Sequence, residues 1–349
     1  MCSALLCLVM SAAFAGEVRF VGDGHAYHPM WSLDGRFLAF EVNRYAGNVD
    51  MFIAEVAGAI AKDAGRVAIP GGSTPFGGQG QVVVNSVWHP ERVAIFEGSN
   101  QGGQFRIYSY QPGGGAAFEL IPTTSVPGDL TFPNVSRDGK AMLFIADATG
   151  AGDIRSRDTA TGKISQLTQS SAAEMFPMYT ADGKNIVFTR KASSTEDVFM
   201  IPGVGGAEVP VVGGGGDQTR PTVGEGGRVV YFDGSRGEGL WDLASIEGPG
   251  GAKRTIGKGV RLPLRARPAL SPDGKWVAFT YDDPVKADKI VLARLDGTKS
   301  VDVTTEFRGC GEPAVTVQNG RTLLAYSALP SSGSDWRFLY VQDVSELLL

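Results

Sequence analysis

Arg267 to Phe279 reads RPALSPDGKWVAF. A short apolar run opening on a proline meets a Ser-Pro-Asp-Gly turn, and a second apolar run follows. Asp-Gly supplies the positive φ that a tight β-hairpin turn needs. Trp276-Val277-Ala278-Phe279 is apolar on successive residues, which is the pattern of a strand buried on both faces. The stretch therefore reads as two antiparallel strands and a turn.

The same figure recurs along the chain. His28 to Phe40 is HPMWSLDGRFLAF, Asn85 to Phe96 is NSVWHPERVAIF, and Phe132 to Phe144 is FPNVSRDGKAMLF. Phe176 to Phe188 is FPMYTADGKNIVF, Arg220 to Phe232 is RPTVGEGGRVVYF, and Glu312 to Tyr326 is EPAVTVQNGRTLLAY. With the opening stretch as the sixth, these make seven repeats. Their anchor positions are 29, 86, 133, 177, 221, 268 and 313, so the spacings are 57, 47, 44, 44, 47 and 45. A period in the mid-forties with turn-rich β segments fits four strands per blade of a β-propeller. The longer first spacing falls on Gly71 to Gly80 (GGSTPFGGQG), which reads as an extended loop.

Each repeat then supplies an inner strand opening at the anchor, a buried second strand, a third strand and an outer strand. The third strands include Asp50 to Ile53, Phe105 to Tyr108, Asp197 to Met200 and Lys289 to Leu292. Ile164 to Leu167 and Val301 to Thr304 are outer strands. The expected fold is thus all-β, a seven-bladed propeller of four-stranded antiparallel blades. Glu17 to Val21 sits where an outer strand would precede the first anchor, so it is expected to complete the last blade and close the ring. Val344 to Leu349 competes for that slot. Closure matters because an open propeller leaves an edge strand bare. Each second strand ends on an aromatic: Phe40, Phe96, Phe144, Phe188, Phe232, Phe279 and Tyr326. These are expected core anchors between blades.

Composition supports this picture. The chain of 349 residues carries 48 Gly and 19 Pro, and its hydrophobic fraction of 43% allows a real core. Net charge is -5 with no dense basic run, which disfavours a nucleic-acid partner. Ala4 to Ala15 (ALLCLVMSAAFA) is an apolar run ending in an A-x-A pattern before Gly16. It resembles a secretory signal peptide, although no Lys or Arg precedes it. Residues 1–15 are read as that leader and 16–349 as one propeller domain, periplasmic or secreted. No run reaches the roughly 18 apolar residues of a membrane span. Cleavage would leave Cys310 as the one cysteine, expected to be inert, whether buried or partly exposed.

With xPxxSPDGxxhAF repeated, the chain resembles the TolB-type (PD-type) β-propeller repeats over about residues 28 to 343. Such repeats occur in the periplasmic TolB and in the propeller domains of prolyl-oligopeptidase-like enzymes. The likeness is strongest in repeats one, three, four and six. There is no room for the α/β domain that precedes the propeller in TolB, and no G-x-S-x-G elbow of a hydrolase. The resemblance implies a lone, exported propeller and says little about function.

Motifs for chemistry are sparse. H-E-x-x-H, C-x-x-C and the phosphate-binding G-x-x-x-x-G-K-[ST] are absent, so neither a metal nor a cofactor is expected. His25 and His28 flank the first inner strand, and their plainer reading is as loop histidines. His89 replaces the turn Ser-Pro and reads as structural. Asp50, Asp153, Asp197 and Asp288 open third strands, where turn capping is a better account than calcium binding.

The best site argument is geometric. The residue before each anchor opens an inner strand, so His28, Asn85, Phe132, Phe176, Arg220, Arg267 and Glu312 should ring one mouth of the central channel. Concave places with a few convergent polar groups suit ligands, and an Arg pair suits carboxylates or phosphates. An internal ion-pair belt, with Glu312 meeting Arg267, is the competing reading. The leading expectation is a non-enzymatic module that binds a protein or peptide through the mouth and upper loops. The alternatives are a lyase or hydrolase acting on a small anionic substrate through His28, Arg220, Arg267 and Glu312, and a structural subunit of a cell-envelope complex.

Overall fold

A computed structural model describes residues 15–348, apart from 45–46, 71–80, 101–102, 149, 193, 238, 264–265, 282–287, 304–306 and 331–332. The leader-like run up to residue 14 and the loop at 71–80 therefore lie outside the described residues.

The turn motif folds through its own side chains. Ser32, Ser136, Thr180 and Ser271 each donate a hydroxyl hydrogen bond to the Asp two residues on, at 2.5–2.7 Å. The same hydroxyls accept from the N–H of Phe37, Ala141, Asn185 and Trp276 at 2.9–3.0 Å. The Gly after each Asp has φ between 69 and 74°. Asp-Gly thus turns the chain while the Ser or Thr pins the first residues of the next strand.

The turns join strands into successive four-stranded antiparallel sheets. Repeat three gives Asp129–Val135, Ala141–Asp147, Asp153–Asp158 and Ile164–Gln166 in that order. Repeat four gives Ala173–Tyr179, Asn185–Ala192, Thr195–Pro202 and Val209–Val212. Repeats one and two are linked by one parallel pair, Val49 with Val82. Repeats five and six are linked where Val260 pairs with Tyr281. In repeat six, among the described residues, the inner strand is Ala269–Leu270.

The N-terminal strand Gly16–Val18 lies outermost on the last sheet. It pairs with Phe338–Asp343, and Arg321–Leu329 and Arg308–Gln318 follow. It is shorter than the five residues expected, and Phe20 instead makes a lone parallel bridge to Ala64 in repeat one. The competing C-terminal segment forms a short helix, Ser345–Leu348, beginning just after Val344 docks on Thr322.

Core packing follows the repeats. Among the described residues, each of seven apolar clusters bridges two consecutive sheets. One of them joins last to first through Val18, Phe40, Phe52, Leu323 and Leu339. The seven aromatics lie inside their second strands, which run on for one to four residues beyond them, and are at most 5% exposed. Phe188 is fully buried and stacks on Phe199 at 6.0 Å. Phe188→Ala should cost about 3–5 kcal/mol and lower the melting midpoint by several degrees. A calorimetric trace matching the wild type would refute its place in the core.

The aspartates that open third strands depart from simple turn capping. Asp50 is buried and pairs with Arg44 and Arg66, each at 2.8 Å. Asp288 pairs with Arg261 at 2.7 Å. Asp153 and Asp197 do accept backbone N–H groups, of Ser170 and Gly214, across their loops. Cys310 is buried.

Candidate functional site

Six of the seven expected mouth residues share one unusual backbone. His28, Asn85, Phe132, Phe176, Arg220 and Glu312 have φ of 47 to 55°. Each lies inside its strand rather than at the start, at a register shift against the second strand. This corrects the sequence expectation. The anchor proline occupies a β-bulge, where its missing N–H removes no ladder bond. Arg267 is the exception: its φ is not positive, and it lies just before the strand Ala269–Leu270. A left-handed non-glycine residue costs on the order of 1 kcal/mol or more, so its recurrence calls for a compensating contact.

At four of the six the compensation comes from a neighbouring repeat. Glu41 accepts the N–H of Asn85 at 2.8 Å, and Glu97 accepts that of Phe132. Thr189 accepts the N–H of Arg220 at 3.1 Å, and Glu312 accepts that of His28 at 2.9 Å. Glu41, Glu97 and Thr189 each directly follow the core aromatic of their repeat, within the same strand. Sequence reasoning missed them, although a Glu inside the apolar runs FLAFEV and AIFEG was a visible signal.

The belt is divided by charge. On one side, His28 Nδ1 lies 2.9 Å from Glu41 and its Nε2 lies 3.4 Å from Glu312. Asn85 donates to Glu97 at 2.7 Å. Burial alone would lower the His28 pKa, but the two carboxylates outweigh it and raise the group to about 10. Burial alone would likewise raise Glu312, and His28 holds it down instead. His28 thus contributes stability that is fully present below its unfolded value near 6.5 and is lost as pH rises toward 10. Glu312 therefore meets His28, not Arg267.

The other side is cationic and aromatic. The Phe132 and Phe176 rings lie 4.6 Å apart, and the guanidinium groups of Arg220 and Arg267 stand 5.4 and 5.6 Å from the Phe176 ring centre. Arg267 reaches across to donate to the carbonyls of Phe176, Pro177 and Pro221 at 2.8–2.9 Å. Arg220 donates to the carbonyls of Pro263 and Ala266. Burial lowers Arg267 to about 9, with Arg220 adding to the effect, and burial lowers Arg220 to about 10. Both stay charged at neutral pH. Among the described residues no carboxylate bonds to Arg267. A small cavity beside it is lined by Arg261, Pro263, Phe279, Thr280 and Glu312.

The remaining histidines separate. His89 accepts from the Glu91 N–H and sits 2.9 Å from the Gly139 carbonyl, a turn role. His25 lies 4.9 Å from the Trp336 ring at the seam between first and last sheets.

Solved structures share this architecture. TolB from Acinetobacter baumannii superposes with a TM-score of 0.57 at 18% identity, covering 84% of this chain and 67% of that one. The fold is that of the TolB-like β-propellers. An oligogalacturonate lyase in complex with manganese superposes on this propeller with a TM-score of 0.63 at 13% identity, covering 95% and 96% of the two chains. A puromycin-hydrolyzing peptidase from Mycobacterium tuberculosis gives 0.66 at 13% identity, covering 92% of the propeller and 51% of the peptidase. No protein-family model and no curated protein matches the sequence. Among the described residues, no group of three His, Cys, Asp or Glu side chains is arranged to hold a metal ion. His28, already held by two carboxylates, does not fit a manganese ligand set. No helix among the described residues is long and apolar enough to cross a membrane.

Proposed function

We propose that this chain is an exported propeller that binds a protein or peptide partner at the mouth of its central channel. It is read as one domain over residues 16–349, periplasmic or secreted once a leader at 1–15 is removed. Seven blades make the ring, closed by the N-terminal strand. Support for that count comes from the seven intersheet cores and the pairing of Gly16–Val18 with Leu339–Val341.

One observation carries the binding reading. The Arg267 charge is part-buried over an aromatic face and, among the described residues, is answered by carbonyl dipoles and by no carboxylate, with a second guanidinium beside it. An acidic group of a partner would supply the missing countercharge in a dry site, where such pairs are strongest. Affinity capture from envelope extract tests this. Arg220→Ala should weaken capture at least tenfold relative to the wild type. Undiminished capture would sink the mouth reading and move the partner to the outer faces, as for a structural subunit of an envelope complex.

A second reading, an enzyme acting on a small anionic substrate through His28, Arg220, Arg267 and Glu312, is favoured by the end-to-end match with the oligogalacturonate lyase. Among the described residues no side-chain set fits a metal ion, so no step is routed through one. Turnover of oligogalacturonate that disappears in Arg220→Ala would favour this reading over the first.

A further inference from the structure

A cavity of about 140 Å³ lies at the turn end of the inner strands, away from the belt, where repeats five and six meet. Arg228, Lys275 and Arg294 line it together with Gly274, Leu295 and Asp296. Three cations against one carboxylate make it a basic pocket.

Its place follows from how repeat five departs from the turn motif. In repeats one, three, four and six a Lys or Arg follows Asp-Gly, as Arg36, Lys140, Lys184 and Lys275. The turn carboxylate stands 3.8 Å from the ammonium in repeats three and four. Repeat five reads Gly224-Glu225-Gly226-Gly227-Arg228, so Gly226 replaces that Asp and Gly224 replaces the Ser or Thr. Arg228 turns instead to Glu247 across its hairpin, a carboxylate 61% exposed. A pair with so exposed a partner is held weakly. At Gly224 a Cβ would lie 2.7 Å from Leu295 Cδ1 and 3.1 Å from the Gly274 carbonyl oxygen. The bare glycine thus lets the turn after Arg294 close over the turn of repeat five, and the cavity lies between them.

The acids at this place are committed to the turns. Asp296 Oδ1 accepts the Thr298 N–H and hydroxyl at 2.9 and 2.6 Å, and its Oδ2 holds Arg294 at 3.0 Å. Asp273 accepts the Ser271 hydroxyl and the Lys275 N–H at 2.5 and 3.0 Å. The Arg294 guanidinium stands 5.7 Å from the Trp276 ring centre, so a ring and a carboxylate fix it at the rim. Arg254 donates to the Asp296 carbonyl and adds a cation behind the same turn.

We infer that this cavity binds a phosphate-type oxyanion, free or as the terminal group of a larger molecule. Space that admits several waters also admits one tetrahedral anion. The guanidinium forks match pairs of its oxygens, and the ammonium supplies a point charge. The site is independent of the mouth, which lies at the other end of the inner strands.

Calorimetry of the whole chain with inorganic phosphate, at fixed ionic strength in chloride, is the test. One saturable site should appear, weakened about tenfold or more in Arg228→Gln and in Arg294→Gln. Lys184→Gln removes a cation from the same end of the strands but outside the cavity, and should bind like the wild type. Each variant is checked to melt as a folded protein. Lys275→Gln, at an exposed position, gives the reading should Arg228→Gln not fold. No saturable heat at millimolar phosphate, cavity variants that bind like the wild type, or an equal loss in Lys184→Gln would each overturn the site. Sedimentation with phosphatidic acid vesicles separates the sources. Capture that free phosphate competes away assigns a headgroup, phosphate binding without capture assigns the free ion, and either upholds the site.

Discussion

A protein lacking residues 16–20 should lose a large part of its stability and unfold with a broadened transition. Gly16, Glu17 and Val18 pair with Val341, Tyr340 and Leu339 on one side. On the other, the Arg19 carbonyl accepts the Ala64 N–H at 2.7 Å, and the Phe20 ring packs 5.8 and 5.3 Å from those of Phe40 and Phe52. The segment therefore staples the last sheet to the first. Burial of Val18 and Phe20 is worth roughly 2 kcal/mol each, and the lost pairings add about 1 kcal/mol apiece. The total, on the order of 5 kcal/mol or more, rivals the whole stability of many domains. Gly16 allows a finer version. A Cβ there would lie 2.1 Å from the Ala59 carbonyl oxygen, so Gly16→Val should push the strand off its partner. Guanidinium denaturation reads both variants. A truncated protein with the wild-type midpoint would show that the last and first sheets do not depend on the N-terminal strand.

Glu41→Ala is the second large effect. One carboxylate oxygen holds the strained Asn85 backbone and the other holds the His28 imidazole. Glu41 is only 6% exposed. Its removal leaves a donor unsatisfied at a left-handed residue and takes one of two partners from a buried cation. Breaking a buried charged pair in this way costs about 3–5 kcal/mol. Glu41→Gln should recover part of the loss, since an amide oxygen still accepts from Asn85. A urea titration in which Glu41→Ala matches the wild type would mean that the belt does not brace the bulges.

The fold was largely legible in the sequence because one period governs it. A Pro, a Ser-x-Asp-Gly turn and an aromatic recur at nearly constant spacing, and each has a local physical role. The N-terminal strand was legible too, from its distance to the first anchor, although its length was not. The site was legible only as a set of positions. Proline at position 29, 133, 177, 221 or 313 announces an interruption of the ladder, but not that its predecessor turns left-handed at a bulge. That depends on a Glu or Thr contributed by the neighbouring sheet, a contact between residues some 30 to 45 positions apart. Arg267 was unreadable for a different reason. Its guanidinium reaches the Phe176 carbonyl across 91 positions of sequence, and no local pattern encodes so distant a contact.

His28 offers the most direct test of the belt. With its imidazole labelled with nitrogen-15, the resonances should stay those of the doubly protonated ring well above neutral pH and titrate near 10, because Glu41 and Glu312 hold the proton there. The stability difference between the wild type and His28→Gln should shrink over the same rise in pH. A His28 ring that titrates near 6.5, as in an unfolded chain, would contradict the account, since it would mean that the two carboxylates do not meet across the first and last repeats.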